Sequence, residues 1–274
     1  MTDFSITTVG ISGSYPGPAS SASCYVVSAR DGEKTTNIVL DLGSGALGPL
    51  QTVLNHTQID AVFLSHLHPD HCLDVTGLYV LRTYDPNFFF EESPLAKLPV
   101  YGPAGSEARL QSAHHTPAGL AAGAGKGADD STLDSAFDFK DLTPGSRHTV
   151  GPLTVVSHLV DHPVETYALR IEHANGAVLT YSGDSDACDG LVDAARDADL
   201  FVCEAAFEEG RDNVRGIHLT GKRAGEVARS AGVKRLMLTH IPPWTSEDKV
   251  RTEATESFGH TPELATPLTT YTVP

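Results

Sequence analysis

The chain has 274 residues, of which 40% are hydrophobic, and its 35 acidic and 19 basic side chains give a formal net charge of −16. That length suits one large α/β domain, and because no linker-like stretch interrupts it, we predict a single domain over residues 1–274. No apolar run is long enough to cross a bilayer, and the N-terminus lacks signal-peptide features, so we predict a cytoplasmic protein without membrane partners. The acidic balance argues against long nucleic acid as a partner and favours a small substrate.

Short apolar runs between turn-like segments predict a series of strands. In chain order the predicted strands are residues 5–9, 23–27, 37–41, 61–65, 98–101, 153–157, 167–171, 178–181, 200–203 and 235–239. Helical patterns cover residues 74–84 and 220–232, the second beginning at a Thr cap and ending at a Gly. Residues 116–136, rich in Ala, Gly and Asp, predict a surface excursion, either a plain insertion or a lid.

A dense histidine cluster follows the strand predicted at residues 61–65, in the run Ser65-His-Leu-His-Pro-Asp-His71. Neutral imidazole and carboxylate are good ligands for divalent transition metals. His66 and His68 are two positions apart, so on an extended backbone they share one face. Asp70 and His71 follow Pro69, which ends the strand, and can face a second ion. The spacing therefore predicts two metals side by side.

Two ions need more ligands, and three later residues lie at or just beyond predicted strand ends: His162, Asp184 and His240. Each alone is weak evidence, because a single His or Asp is common at a surface. As a set that follows a strong cluster, they complete a two-metal site. Cys72 directly follows the cluster, but a buried small side chain is the simpler interpretation of it.

With Asp41 in Asp-Leu-Gly-Ser-Gly, these residues resemble, in order, the five motifs of the metallo-β-lactamase superfamily over residues 5–245. The resemblance implies an α/β fold of the αββα four-layer type, with two mixed β-sheets flanked by helices and the metals at one sheet edge. The implied cofactors are two divalent ions; Zn²⁺ is expected first, and Mn²⁺ or Fe²⁺ accept the same ligands.

The resemblance also implies a role for each matching residue. One ion would be held by His66, His68 and His162, and the other by Asp70, His71 and His240. Asp184 would bridge both ions together with a hydroxide, and Asp41 would orient a ligand imidazole. His158 competes for the role of His162, which we prefer because the residues after it, 163–170, fit the family pattern.

Two further positions resemble the phosphodiesterase branch that contains ribonuclease Z: Glu204, in Cys203-Glu-Ala-Ala-Phe207, and His218. In that branch the Glu orients the His, which donates a proton to the leaving oxygen. The predicted catalytic residues are therefore Glu204 and His218, together with the metal ligand Asp70. The simpler alternative is a helix-capping His with a surface Glu.

Ribonuclease Z itself carries a long tRNA-clamping arm between the third-motif His and the bridging Asp. Here only residues 163–183, 21 positions, separate His162 from Asp184, which is room for two strands and a turn. A closer resemblance, strongest in Leu238-Thr-His-Ile-Pro-Pro-Trp-Thr-Ser246, is to actinobacterial cyclic AMP phosphodiesterases of this fold. It implies hydrolysis of 3′,5′-cyclic AMP to 5′-AMP, and Trp244 would either stack on adenine or pack in the core.

Several alternatives stay open. The sequence does not distinguish cyclic AMP from cyclic GMP as the substrate. A ribonuclease Z-type RNA-processing nuclease, a lactonase or a thioesterase uses the same fold, and a non-catalytic binding protein is a further possibility. The expected partner is a small cyclic nucleotide. Because this branch commonly forms oligomers, we also expect a homo-oligomer.

Overall fold

The protein is described by a computed structural model that covers residues 4–89, 95–115 and 132–274. The strands of this part of the chain are β1 Phe4–Gly10, β2 Cys24–Asp31, β3 Lys34–Leu42, β4 Ala61–Phe63, β5 Leu98–Gly102, β6 Phe137–Asp141, β7 Arg147–Val150, β8 Leu153–Leu159, β9 Tyr167–His173, β10 Val178–Tyr181, β11 Leu200–Glu204, β12 Leu236–Thr239, β13 Glu263–Leu264 and β14 Thr269–Thr272. The helices are α1 Leu47–Val53, α2 Pro69–Cys72, α3 Val75–Tyr84, α4 Pro86–Phe89, α5 Ser106–His114, α6 Asp189–Ala195, α7 Gly221–Ala231 and α8 Glu247–Phe258.

The strands form two sheets of seven, each half antiparallel and half parallel. The first has the order β14-β1-β2-β3-β4-β5-β6 and the second the order β13-β12-β11-β10-β9-β8-β7. Strands β3 to β6 are parallel, and so are β10 to β13, whereas the remaining neighbours are antiparallel. The carboxyl ends of β4, β8, β10, β11 and β12 carry the loops that supply the metal-site residues.

Alternation along the strands divides the apolar side chains between two layers. On β2, Tyr25 and Val27 point into a core between the sheets, whereas Val26 packs against helices on the outer side. On β9, Leu169 joins the central core and Ala168 the outer one. Each large side chain buried in this way contributes roughly 1.5–3 kcal/mol. Helices α1, α3 and α5 cover the first sheet, and α6, α7 and α8 cover the second, so the predicted αββα sandwich is confirmed.

Every strand and helix predicted from the sequence is present, with ends moved by a few residues. The helix predicted over 220–232 is α7: the Thr220 hydroxyl accepts from the Arg223 N–H, and Gly232 ends it with a φ of 69°. The strand predicted over 61–65 is shorter, because β4 ends at Phe63. The predictions missed β6, β7, β13 and β14, and also α1, α2, α4, α5, α6 and α8.

The predicted excursion at 116–136 falls mostly on residues 116–131, which lie outside the described residues. At its described end, Leu133 is buried under the first sheet. None of the helices in the described segments combines the length and apolarity needed to cross a bilayer. The four cysteines are free thiols. Burial raises the pKa of the Cys72 thiol to about 12, which fits a buried side chain beside the site.

Candidate metal centre

The segment after β4 delivers four of the predicted ligands. His66 and His68 lie in the loop beyond the strand, where His68 still has an extended backbone (φ −68°, ψ 150°), and His66 Nε2 is 3.0 Å from His68 Nδ1. Pro69 occupies the first turn of α2, where its missing N–H costs no helical hydrogen bond. Asp70 and His71 lie on this short helix, which turns their side chains toward a different position.

Four side chains form the first ligand group, which joins the two sheets. Its donor atoms, from His66, His68, His162 and Asp184, all lie within 4.8 Å of one another. The His162 Nδ1–H donates to the Ile217 carbonyl at 2.8 Å, which leaves Nε2 facing His68 Nδ1 at 3.3 Å. His66 Nε2 is 3.6 Å from Asp184 Oδ2.

The second ligand group lies beside the first and shares Asp184 with it. Asp70, His71, Asp184 and His240 again place their donor atoms within 4.8 Å of one another. Asp184 Oδ1 is 3.2 Å from His71 Nε2 and 3.4 Å from His240 Nε2. Asp184 therefore turns one oxygen toward each group, which is the arrangement that a bridging carboxylate requires.

Asp41 lies behind the ligands, fully buried at the end of β3. Its Oδ2 accepts from His71 Nδ1 at 2.7 Å and from the Tyr181 hydroxyl at 2.7 Å. Ser65 donates two hydrogen bonds to the same carboxylate. Its N–H lies 2.7 Å from Asp41 Oδ1, and its hydroxyl lies 2.8 Å from Asp41 Oδ2. Because Nδ1 of His71 is bound to Asp41, Nε2 is the nitrogen that faces the second group. Ser65 and Tyr181 were not predicted, because nothing in the sequence marks them.

The donor chemistry of both groups fits divalent cations. His71 Nε2 and His240 Nε2 are 3.1 Å apart, with the carboxylate of Asp184 beside them. Asp184 Oδ1 is buried without a hydrogen-bond partner in the described part of the chain. Burial lowers the pKa of His66 well below its usual value, so this imidazole stays neutral. Burial raises the pKa of Asp184, but His240 and His71 lower it by a larger amount, so the net pKa lies well below its usual value and the carboxylate stays ionised.

Glu204 and His218 form a hydrogen-bonded pair at the same edge. The Glu204 Oε1 to His218 Nδ1 distance is 2.9 Å, and His218 Nδ1 lies 4.0 Å from Asp184 Oδ2. Glu204 is fully buried and also accepts from backbone N–H groups, including that of Leu219, so the alternative of a surface Glu is wrong. Burial lowers the pKa of His218, but Glu204 more than offsets this and brings the pKa to about 9. The metal-free protein therefore favours the protonated form of His218 at neutral pH.

The donor atoms of this pair also lie within 4.8 Å of a His240 nitrogen, so Glu204, His218 and His240 make a third set with ligand spacing. Geometry alone thus allows His218 to be either a proton donor or a ligand. The short bond from Nδ1 to Glu204 leaves only Nε2 for either task.

The loop that precedes His218 is tied down by a carboxylate that sequence reasoning missed. Asp186, two residues beyond Asp184 and 1% exposed, accepts from Arg215 Nε at 2.5 Å and from the Gly216 N–H at 2.8 Å. The Arg223 guanidinium, on α7, pairs with its other oxygen. Its only sequence signal was its position beside a predicted ligand.

The structure also bears on the alternatives that the sequence left open for His162 and for Trp244. His158 lies on β8 opposite Ala168 and belongs to neither ligand group, whereas its competitor His162 joins the first. Trp244 is 59% exposed, so the alternative of core packing is wrong. Its ring lies 5.1 Å from that of Tyr15, centroid to centroid.

Comparisons with known proteins agree with this geometry. The family model described as "Beta-lactamase superfamily domain" matches residues 36–241. An uncharacterised protein of Mycobacterium leprae is 42% identical over 253 residues, which cover 92% of this chain and 83% of that protein. The ribonuclease Z of Methanopyrus kandleri is 29% identical over 261 residues, covering 81% and 83%.

A third relative is known in sequence and in structure. The probable metallo-hydrolase YhfI of Bacillus subtilis is 28% identical over 92% of this chain and 93% of that protein. Its crystal structure, described as a metallo-β-lactamase fold protein, superposes with a TM-score of 0.79 at 25% identity, covering 98% of this chain and 99% of that one.

Proposed function

We propose that this chain, which belongs to the β-lactamase superfamily and has the fold of its metallo-hydrolases, is a di-metal phosphodiesterase that hydrolyses 3′,5′-cyclic nucleotides, converting cyclic AMP to 5′-AMP. The observation that carries the proposal is the pairing of Glu204 with His218 beside the two ligand groups. A phosphodiester has a poor alkoxide leaving group, so a protonated imidazole at this position has a clear task. In a lactonase or thioesterase the pair would have none.

A small substrate is favoured by the structure between His162 and Asp184. Every residue of this segment is described, and it consists of a short loop followed by β9, a tight turn at Gly176 and β10, with no protruding arm. If this chain were a nuclease of the ribonuclease Z type, it would lack the arm that clamps tRNA in that enzyme. The net charge of −16 supports the same choice, because long nucleic acids are usually bound by basic surfaces.

In the proposed mechanism, His66, His68 and His162 would hold one divalent ion, and Asp70, His71 and His240 the other, with Asp184 shared. When bound, such ions neutralise phosphate charge and lower the pKa of water. Asp41 holds the His71 ring in its ligand orientation. Water adds its oxygen to phosphorus and releases a proton to the solvent, and the bond from phosphorus to the 3′ oxygen breaks.

His218 supplies the proton that the departing 3′ oxygen needs. Glu204 fixes its Nδ1, so the proton leaves from Nε2. Such general acid catalysis typically accelerates a reaction by about 100- to 10,000-fold. We also propose Zn²⁺ as the resident metal, a homo-oligomeric assembly and a cytoplasmic location, which metal analysis, sedimentation and cell fractionation would test.

One assay tests the function. Purified protein loaded with Zn²⁺ or Mn²⁺ is incubated with cyclic AMP, cyclic GMP and a pre-tRNA carrying a 3′ trailer. Release of 5′-AMP with intact pre-tRNA is the expected result. Cleavage of the trailer with intact cyclic nucleotides would instead establish the nuclease, which the 29% identity to the Methanopyrus kandleri ribonuclease Z makes the second candidate.

A further inference from the structure

Exposed apolar side chains are concentrated in the segments that border the metal centre. Within the described residues, eight large hydrophobic side chains are exposed, and five of them occur within four residues of a site residue or of its contacts. These five are Leu159 and Val164 beside His162, Val214 before His218, Trp244 after His240, and Tyr15 in the loop that touches His240. Single exposed apolar residues are ordinary, whereas a group beside a reactive site indicates a binding surface.

Tyr15 and Trp244 form the aromatic part of this border. Their ring centroids are 5.1 Å apart with an interplanar angle of 34°, and they remain 40% and 59% exposed. The contact brings together two chain segments far apart in sequence. It leaves ring surface open to solvent, where an apolar face gains by being covered.

The segments that carry Tyr15 and Trp244 also meet at His240, a proposed metal ligand. The Ser14 N–H lies 3.4 Å from His240 Nε2, the nitrogen that faces the second ligand group. A Cβ added at Gly13 would lie 2.3 Å from the His240 carbonyl oxygen, so only glycine allows this close approach. Tyr15 follows directly, and Trp244 is four residues beyond His240. The aromatic pair is thereby anchored beside the second ligand group.

We propose that Tyr15 and Trp244 are a stacking platform for the base of the nucleotide, which they hold while its phosphate lies at the metal centre; this rests on the proposed function. Planar bases stack on aromatic rings without needing a charged partner. The Arg211 guanidinium donates to the Trp244 carbonyl and is paired with Glu208 and Asp212. An aromatic platform therefore suits a nucleoside monophosphate better than a polyanion.

Trp244 is the only tryptophan of the chain, so its fluorescence reports on the platform directly. Metal-loaded protein is titrated with 5′-AMP and, separately, with ribose 5-phosphate, which has the phosphate but no base. We expect 5′-AMP to quench the emission saturably and ribose 5-phosphate to leave it unchanged. Tyr15→Ala should weaken 5′-AMP binding about tenfold, as expected for loss of one stacking partner.

The controls separate this proposal from the proposed function. Tyr84→Ala removes an exposed aromatic ring from the end of α3 and should leave the titration unchanged. Hydrolysis of cyclic AMP without quenching would overturn the platform alone, and saturable quenching without hydrolysis would overturn the function alone. Emission that depends on protein concentration but not on nucleotide would show that a second copy of the chain covers the pair, and would also overturn the platform. Circular dichroism of each variant verifies its fold.

Discussion

Substitution of His218 can distinguish a role in proton donation from a role in metal binding. If it is the proton donor, His218→Ala should retain the wild-type metal content and lose about 100- to 10,000-fold in kcat/KM with cyclic AMP. His158→Ala is the matched control, since it removes a half-buried imidazole of β8 that belongs to neither ligand group. Loss of a metal ion from His218→Ala would identify His218 as a ligand instead.

If His218 is the proton donor, its pairing with Glu204 should set the alkaline limit of activity. Burial lowers the pKa of His218 and the Glu204 carboxylate raises it, with a net value of about 9. Glu204→Gln removes the negative charge, so the acid form of His218 should be lost at lower pH. The alkaline limb of the kcat/KM profile should move down by about one pH unit or more. An unmoved limb would mean that another group controls it.

Metal-site residues were predictable where the residue type itself, His or Asp, indicates a metal ligand. Three imidazoles and a carboxylate in six positions have few explanations, and the distant partners His162, Asp184 and His240 were marked by their positions at predicted strand ends and then by the family resemblance. The supporting groups were not predictable. Ser65 and Tyr181 act through hydroxyls that meet Asp41 only because two sheets pack together.

At the scale of elements, the loop between β11 and α7 depends on Asp186. This carboxylate joins Gly216 and Arg215 of the loop to Arg223 of the helix. Asp186→Ala would leave the nearly buried Arg223 without its main anion, so we expect the free energy of unfolding to fall by about 3–5 kcal/mol. Urea titration of the metal-free protein measures this.

The control for that experiment is Asp193→Ala, which removes an exposed ion pair with Arg196. Exposed pairs contribute at most about 1 kcal/mol, so its unfolding curve should nearly match that of the wild type. If Asp186→Ala shifted the curve no more than this control, the carboxylate would not be what secures the loop.

Which elements were predictable follows from how they are buried. The strands β10 and β11, and residues 38–42 of β3, are buried along their length because both faces are covered, and such mainly apolar runs are visible in sequence. The edge strands β7 and β14 alternate between exposed and half-buried residues, so their sequences resemble loops. Helix α8 begins at the Ser246 cap, but its largely polar sequence shows little amphipathic pattern.

At the scale of the whole molecule, the metal centre joins the two sheets. Four of its seven proposed ligands follow β4 of the first sheet, and the other three follow strands of the second. Chelation should therefore lower the Tm, because a metal at 1,000 times its Kd stabilises the folded state by about 4 kcal/mol. Calorimetry with and without a chelator measures the change.

Asp184→Ala is the variant that should abolish this response, since it removes the carboxylate shared by both ligand groups. Its metal content should fall, and its Tm should be insensitive to chelator. Full occupancy of both sites in this variant, measured by elemental analysis, would refute the bridging role. A wild-type Tm that ignores the chelator would show that the sheets hold together without metal.

The position of β14 has a consequence for the order of assembly. This strand pairs with β1, with Ser5 opposite Thr272, so the first sheet is completed by residues from near the opposite end of the chain. During synthesis the His66–His71 segment emerges long before β14 or His240 is available. A nascent chain therefore exposes an unpaired strand edge and a crowded set of imidazoles together. Such distant pairings are slow to form, so this is the interval in which the protein is most open to aggregation and to capture of the wrong metal.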